Sequence, residues 1–517
     1  IKKLKNLFKK NLLKNIYPLF LGIISAFSLP PYNFFIINFI TFPLLFIFIL
    51  KKENKVNYFA SGWFFGFGYF LASLYWISIA LTFDDSFKIL IPISIVLIPS
   101  FLGIFYGIAM YIFSFFVKYK SISKILIFSI ILGTLEFIRG SVLTGFPWNL
   151  FVYSFSENLI FIQILSIIGT YGLNTICISF FLLPSILILK KTKSDIYGSL
   201  FFILIGVFIL IYGTYKLKYD DFIKIDSNYV TKVISSKINI NRFYEPKNEK
   251  EIIENLIKLS NPDKNTSTLF IWPEGSLTET NLKDIKKYKD LFSKHFSDKH
   301  LIVLGINDVI YEDENENSKV YNSLVVFDGS LNIKNLYYKN NLVPFGEFLP
   351  LEKYLKKLGF RSITHGYQSF SKGKERKVIK LNNQNIEINF LPLICYEIIY
   401  SGKITKYQKY DFIVNISEDG WFGNSIGPYQ HFSHSIFRSI EEGKNIIRSS
   451  NNGISAYINR KGQIIKKIES TQSGFVEISS YTRSESTIFS TQGNKMFFYL
   501  LLIYITFIFF INKKGEI

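Results

Sequence analysis

Long apolar runs alternate with short polar joints up to about residue 214, after which the pattern changes until a last apolar run at 496–511. A bilayer core about 30 Å thick takes roughly 20 apolar residues per helix. The runs at 15–30, 33–50, 58–82, 89–116, 125–138, 158–189 and 197–214 predict seven spans, and "MFFYLLLIYITFIFFI" at 496–511 an eighth. The long fourth and sixth runs exceed one crossing, so tilt, a kink or an interfacial portion is expected there. Between them and the last run, 218–492 reads as one alpha/beta domain. Strand-like runs occur at 229–238, 267–272, 301–306, 322–328, 386–395, 411–417, 453–459 and 463–468, with helix-period stretches at 247–260, 281–295 and 429–443. Turn signals at "FDGSLN" (327–332) and "NRKGQ" (459–463) add hairpins, which points to a layered sandwich rather than a purely parallel sheet. The expected division is 1–217, 218–492 and 493–517.

Charge orients the spans, because Lys and Arg near span ends stay cytoplasmic. Lys2, Lys3, Lys5, Lys9, Lys10 and Lys14 precede the first span, and Lys51, Lys52 and Lys55 follow the second. Lys118, Lys120 and Lys124 follow the fourth, and Lys190, Lys191 and Lys193 the sixth, whereas the intervening joints hold only Lys88 and Arg139. Cytoplasmic termini and an extracytoplasmic 218–492 segment follow, with Lys513 and Lys514 returning inside. No small-residue cleavage site follows the first span, which is therefore expected to remain as an anchor.

Composition agrees. With 49% hydrophobic residues, 54 Phe among 517 and a positive mean hydropathy of +0.24, the chain is too apolar for an ordinary soluble protein. The net charge of +20 is scattered rather than patched, which argues against nucleic acid as a partner. Only two cysteines are present, one in each half, so neither a disulfide framework nor a zinc motif is available. Cys177, deep in the sixth span, reads as a packing residue. His431 and His434 share a helix-period stretch but lack an evident third ligand, and no metal or other cofactor is expected.

Three reactive residues follow apolar strand-like runs: Glu274 in "IWPEGS", Lys339 in "YYKNNLVPFGE" and Cys395 in "LPLICYE". Ends of neighbouring strands are where layered alpha/beta folds collect a site. A carboxylate near a thiol serves as general base, and a lysine favours the anion and stabilises an oxyanion. Taken singly, each has a plainer reading as a buried hydrophobe, a helix cap or a solvated cation.

The order Glu, Lys, Cys in "WPEGS", "KNNLVPFGE" and "ICYE" resembles the nitrilase superfamily. The longer phrases "TGFPWNLFVYS" (144–154), "KNNLVPFGEFLP" (339–350), "DGWFGNSIGPYQH" (419–431) and "RSIEEGKNIIRSSNNGISAYI" (438–458) resemble the apolipoprotein N-acyltransferase family, nearly end to end. Asn340 and Asn341, where the family often carries a histidine, and Glu418 with Gly420 depart from its pattern. The resemblance implies a multi-pass helical membrane domain and an αββα nitrilase-like sandwich. It also implies ping-pong transfer of the sn-1 acyl chain of a phospholipid, preferably phosphatidylethanolamine, to the α-amine of a diacylglyceryl apolipoprotein. Cys395 would be the nucleophile, Glu274 the base and Lys339 the oxyanion partner. Glu347 and Glu397 would support them, Tyr396 would lie beside the thiol, and Trp421 and Trp148 would line the lipid route. A monomer in the bacterial inner membrane is expected. Residues 349–372 have the composition of a mobile lid. A membrane-tethered amidase shares the trio; a transporter would need more intramembrane charge than Glu136 supplies. An inactive scaffold is the other alternative.

Overall fold

The computed structural model describes residues 16–52, 54–189, 192–218, 224–245, 248–311, 318–355, 357, 369–383, 386–404 and 409–513. Residues 312–317, and residues 356 and 358–368 of the expected lid, lie outside the described residues. The chain divides into two compact units, one of Ile1–Ser78, Phe87–Asp220 and Ile488–Ile517, the other of Ile79–Ser86 and Asp221–Thr487.

The first unit is helical. Among the described residues, six helices are long and apolar enough to cross a membrane: Lys55–Thr82, Asp85–Phe116, Ser121–Arg139, Leu165–Leu187, Lys193–Lys218 and Lys495–Asn512. At the positions of the first two expected spans, the apolar helices Ile16–Ala26 and Phe35–Leu50 are shorter. In lipid, helices associate through packing rather than by leaving water, and aromatic rings supply it here. Phe42 and Tyr69 each meet Phe151 with ring centroids 4.8 Å apart. Outward residues such as Leu204, Phe208 and Ile211 on one helix and Leu502, Phe509 and Phe510 on another stay exposed. Apolar faces of that extent belong in a bilayer, and the chain is a membrane protein. Of the tilt, kink or interfacial portion expected in the sixth run, the structure shows a break at Gly169, whose φ of 67° interrupts the helix. A Cβ there would lie 1.9 Å from the Phe489 ring, so only glycine admits both the turn and the neighbour.

Glu136, the one acid noted within the expected spans, is 1% exposed and paired with Arg139 at 2.6 Å. The Tyr106 hydroxyl donates to the same carboxylate, and Arg139 Nη1 donates to the Phe146 carbonyl at 2.5 Å. The charges are therefore mutually satisfied and hold the turn that carries Trp148, as an ion pair in an apolar interior requires.

The second unit is a sandwich of two six-stranded sheets. The first contains β1 (Lys224–Ser235), β2 (Thr268–Ile271), β3 (His300–Tyr311), β4 (Ser318–Asp328) and β5 (Ile333–Tyr338). The second contains β6 (Ile379–Asn383), β7 (Ile386–Ile394), β8 (Phe412–Glu418), β9 (Asn445–Asn451), β10 (Ser455–Ile458) and β11 (Ile464–Ile468), and β12 (Gly474–Thr482) returns to the first sheet beside β1. Strands β1, β2 and β3 run parallel, as do β7, β8 and β9, with antiparallel strands outside each trio. Both hairpins signalled in the sequence occur, β4–β5 and β10–β11. Alternate residues of the first sheet, among them Phe270, Ile302, Leu304 and Val325, share a buried core with Ile253 and Leu256 of helix Glu249–Ser260 and Phe292 of Lys289–His295. The opposite face meets the second sheet, where the Ser449 hydroxyl donates to the Ile234 carbonyl at 2.7 Å. Helix, sheet, sheet and helix layers result, and the ends of the parallel trios meet inside the sandwich.

Candidate active site

Cys395 opens a short 3-10 turn, Cys395–Ile399, directly after β7. Its φ of 48° puts a non-glycine residue in the left-handed region, a strained elbow that surrounding contacts must hold. Glu397 does so. Fully buried, it accepts the Ile394 N–H at 2.9 Å through Oε2, and through Oε1 the N–H groups of Asn340 and Asn341 at 2.9 and 3.0 Å. Tyr337 and Arg376 donate to Oε1 as well, at 2.7 and 2.8 Å. Burial alone would raise the pKa of Glu397, but Arg376 and these donors outweigh it and hold the carboxyl below its ordinary range. One carboxylate thus ties the Cys395 elbow to the segment that follows Lys339.

Lys339, at the end of β5, is 1% exposed. Its Nζ lies 2.9 Å from Glu347 Oε1 and 3.3 Å from Glu274 Oε1. Burial by itself would discharge the amine, yet the two carboxylates and the neighbouring Cys395 reverse the effect and raise its pKa well above the ordinary value. The ammonium is therefore permanent at physiological pH. Asn322, on β4, donates through Nδ2 to Glu274 Oε1 at 2.7 Å and Glu347 Oε1 at 2.8 Å, bridging the carboxylates that share the lysine. Glu274 follows β2 and accepts the Glu418 N–H at 2.9 Å through Oε2. The Cys395 thiol is raised by burial first and by the Glu274 charge second, with Lys339 opposing. A neutral thiol is the resting form, and such a thiol becomes a nucleophile only when its proton is taken as a bond forms.

Backbone proximity makes this assembly possible. A Cβ on Gly305 of β3 would stand 2.7 Å from Glu274 Cα and 3.2 Å from the Gly275 nitrogen. Gly305→Ala is expected to displace the Glu274 turn and slow any reaction of the Cys395 thiol that depends on Glu274 about 10- to 100-fold, since shifts near 1 Å have effects of that order. Single-turnover rates together with thermal unfolding check this; an unchanged rate with alanine in place would show that the close approach is immaterial.

Beyond Cys395 lies a second buried network. Asp419 accepts from Ser417 Oγ at 2.7 Å and Arg448 Nη2 at 2.8 Å, and its Oδ1 is 2.9 Å from His431 Nδ1. Burial favours protonation of Asp419, but Arg448 and His431 hold its carboxyl well below the usual range. Ligand atoms of Cys395, Asp419 and His431 lie within 4.8 Å of one another. With a guanidinium already on the carboxylate, this trio is arranged for hydrogen bonding rather than for a cation. His434 is buried separately, its pKa pushed well down by burial and by Arg438. Cys177 is buried in the helical unit.

Tyr396 is buried against Tyr400, ring centroids 5.5 Å apart. Trp421 packs on Phe243 at 5.0 Å and on Phe83 at 6.2 Å, forming a partly exposed aromatic cluster. Trp148 belongs to the helical unit, 2% exposed between Trp76 and Phe146. Of the residues anticipated from sequence, Glu274, Lys339, Glu347, Cys395, Tyr396, Glu397 and Trp421 lie in the sandwich unit.

Residues 21–183 match the apolipoprotein N-acyltransferase N-terminal domain family, and residues 247–484 match the carbon-nitrogen hydrolase family. The apolipoprotein N-acyltransferase of Rickettsia prowazekii is 33% identical over 504 residues, covering 96% of this chain and 97% of that protein. The chain belongs to the apolipoprotein N-acyltransferase family. Another relative of that name, from Rhizobium rhizogenes, is 30% identical over 515 residues, covering 96% of this chain and 95% of its own. A family of acyltransferases on a carbon-nitrogen hydrolase domain accounts for an apolar helical unit and a nitrilase-like sandwich in one chain. Family phrasing points to most of the polar cluster but not to Asn322 or Arg376. Each is a polar side chain buried among strand ends, a signal that appears only when its distant partners are known.

Proposed function

We propose that this chain moves the sn-1 acyl chain of a phospholipid, phosphatidylethanolamine among them, to the α-amine of an N-terminal diacylglyceryl cysteine through a thioester on Cys395. The observation that carries the reading is the buried group of Glu274, Lys339 and Glu347 joined by Asn322, at strand ends beside a cysteine held on a left-handed elbow. In the first half-reaction Glu274 takes the thiol proton as sulfur bonds to the ester carbonyl carbon, and the developing oxyanion faces Lys339. The ester C–O bond then breaks, and the departing lysophospholipid oxygen receives the proton from Glu274. In the second, the amine attacks the thioester, Glu274 accepts its proton and the C–S bond breaks, returning the thiol. Glu347 keeps Lys339 charged and in place, Glu397 fixes the elbow and Tyr396 flanks the sulfur. Trp421 and Trp148 serve acyl chains.

The membrane arrangement belongs to the same proposal. Eight spans, a helical domain at 1–217 and a last span within 493–517 would put both termini in the cytoplasm and the 218–492 domain on the outer face of the inner membrane, acting as a monomer. Both substrates keep their chains in lipid, which is a physical reason to attach this chemistry to so many apolar helices. The experiment is intact-mass analysis of the purified protein mixed with phospholipid, followed by a diacylglyceryl peptide. The expected result is one acyl adduct, absent in Cys395→Ala, that passes to the peptide amine. A folded protein that gains no adduct and leaves the peptide unmodified would overturn the proposal.

A further inference from the structure

Glu418 ends β8 and is 1% exposed. It stands in a region that already contains the buried acids Glu274, Glu347 and Asp419. A further carboxylate there is tolerable only with a cation and a full set of donors. Arg242, in the short turn Ile240–Phe243 after β1, supplies the cation: its Nη2 pairs with Glu418 Oε2, and it is completely buried. Asn451 Nδ2 donates to the same oxygen at 2.6 Å, and the Gly420 N–H donates to Oε1 at 2.8 Å.

The two residues grip the base from both sides. Arg242 Nε donates to the carbonyl of Gly275, the residue after Glu274, at 2.9 Å. Glu418, held by Arg242, gives its own N–H to Glu274 Oε2 at 2.9 Å. The remaining guanidinium nitrogen is fixed by the carbonyls of Asn239 at 2.9 Å and Ile238 at 3.3 Å. We propose that Arg242 and Glu418 form a clamp that positions Glu274 for proton transfer, joining the turn after β2 to the end of β8. Neither touches the reacting atoms; both are positioning residues. The inference rests on the acyl-transfer reading given above, with Glu274 as base.

Single-turnover acylation of Cys395 by phospholipid, followed by intact mass, tests the clamp with Arg242→Gln, Glu418→Gln and the double variant. The rate constant reports only on molecules that fold, whereas the amplitude reports how many do. Arg242→Gln leaves the Glu418 charge buried without its cation and releases Gly275, and the rate constant should fall about 10-fold or more. Removing the carboxylate as well should recover about threefold over Arg242→Gln alone, the coupling expected of contacting residues. Glu418→Gln keeps the backbone N–H to Glu274 and should lose less than Arg242→Gln. An Arg242→Gln rate constant within twofold of the parent, or a double variant no faster than Arg242→Gln, overturns the clamp while leaving acyl transfer standing. No adduct in the parent protein overturns both.

Discussion

Glu274→Gln is expected to lower the rate constant of Cys395 acylation by about 10³-fold, within the range that a positioned general base contributes. The reason is the state of the thiol. Burial and the Glu274 charge keep Cys395 protonated, so no pool of thiolate waits to attack, and Lys339 only partly opposes them. A side chain that takes the proton during attack is then indispensable, and an amide does not. The substitution also has a structural consequence of predictable size. One oxygen of Glu274 accepts from Asn322 and Lys339, the other from the Glu418 N–H. The substituted amide retains a single acceptor oxygen, so its nitrogen must face at least one donor, at a cost of about 1–3 kcal/mol for a buried unsatisfied group. Lys339 keeps Glu347, and folding should survive. Quench-and-mass kinetics in parallel with thermal unfolding separate the two effects. A rate within tenfold of the parent would remove Glu274 from the role of base.

The sequence makes some features legible for a physical reason. Glu274 and Cys395 follow the largely buried apolar strands β2 and β7, where a charged or reactive residue stands out by contrast; Lys339 follows β5, where only Tyr337 is buried, and stands out by the phrase around it. The hairpins at "FDGSLN" and "NRKGQ" carry their own turn chemistry. Strand β9, "NIIRSSN", escapes a reading by periodicity because its pattern is polar, yet all of Asn445–Asn451 is buried. Arg448 pairs with Asn415 on β8 and Asp419 just after it, and Ser449 with a carbonyl of β1. Such partners arise only on folding, so hydrophobic periodicity cannot reveal the strand. Strand β12 has few apolar anchors, chiefly Val476, Ile478 and Tyr481, among exposed or polar positions. Arg242 is the extreme case: a single arginine in a polar loop, whose partner Glu418 is 176 positions away. An overlong run implies tilt, a kink or an interfacial portion, but that this one breaks at Gly169, against the remote Phe489 ring, is visible only in the fold.

Lys339→Met should both stop acylation, by about 10²- to 10³-fold for loss of the oxyanion partner, and weaken the fold. In the parent protein the lysine lies between Glu274 and Glu347, all three nearly buried. Removing the cation leaves two carboxylates around Asn322 without a counter-charge, and breaking a buried pair from one side costs about 3–5 kcal/mol. The pH dependence gives the sign. The raised pKa of Lys339 means that its contribution is complete below the ordinary lysine range and is lost only as pH rises through the raised folded-state value. Between pH 5 and about 9 the lysine therefore does not titrate. In Lys339→Met the two unneutralised carboxylates favour sharing a proton, so the folded state takes up protons that the unfolded chain does not hold, and stability should increase as pH falls toward 5. Thermal unfolding of the parent and variant across pH 5 to about 9 measures the difference between their slopes. Parallel slopes would mean that the carboxylates repel little without the lysine, and Lys339 would then owe its position to packing rather than to charge.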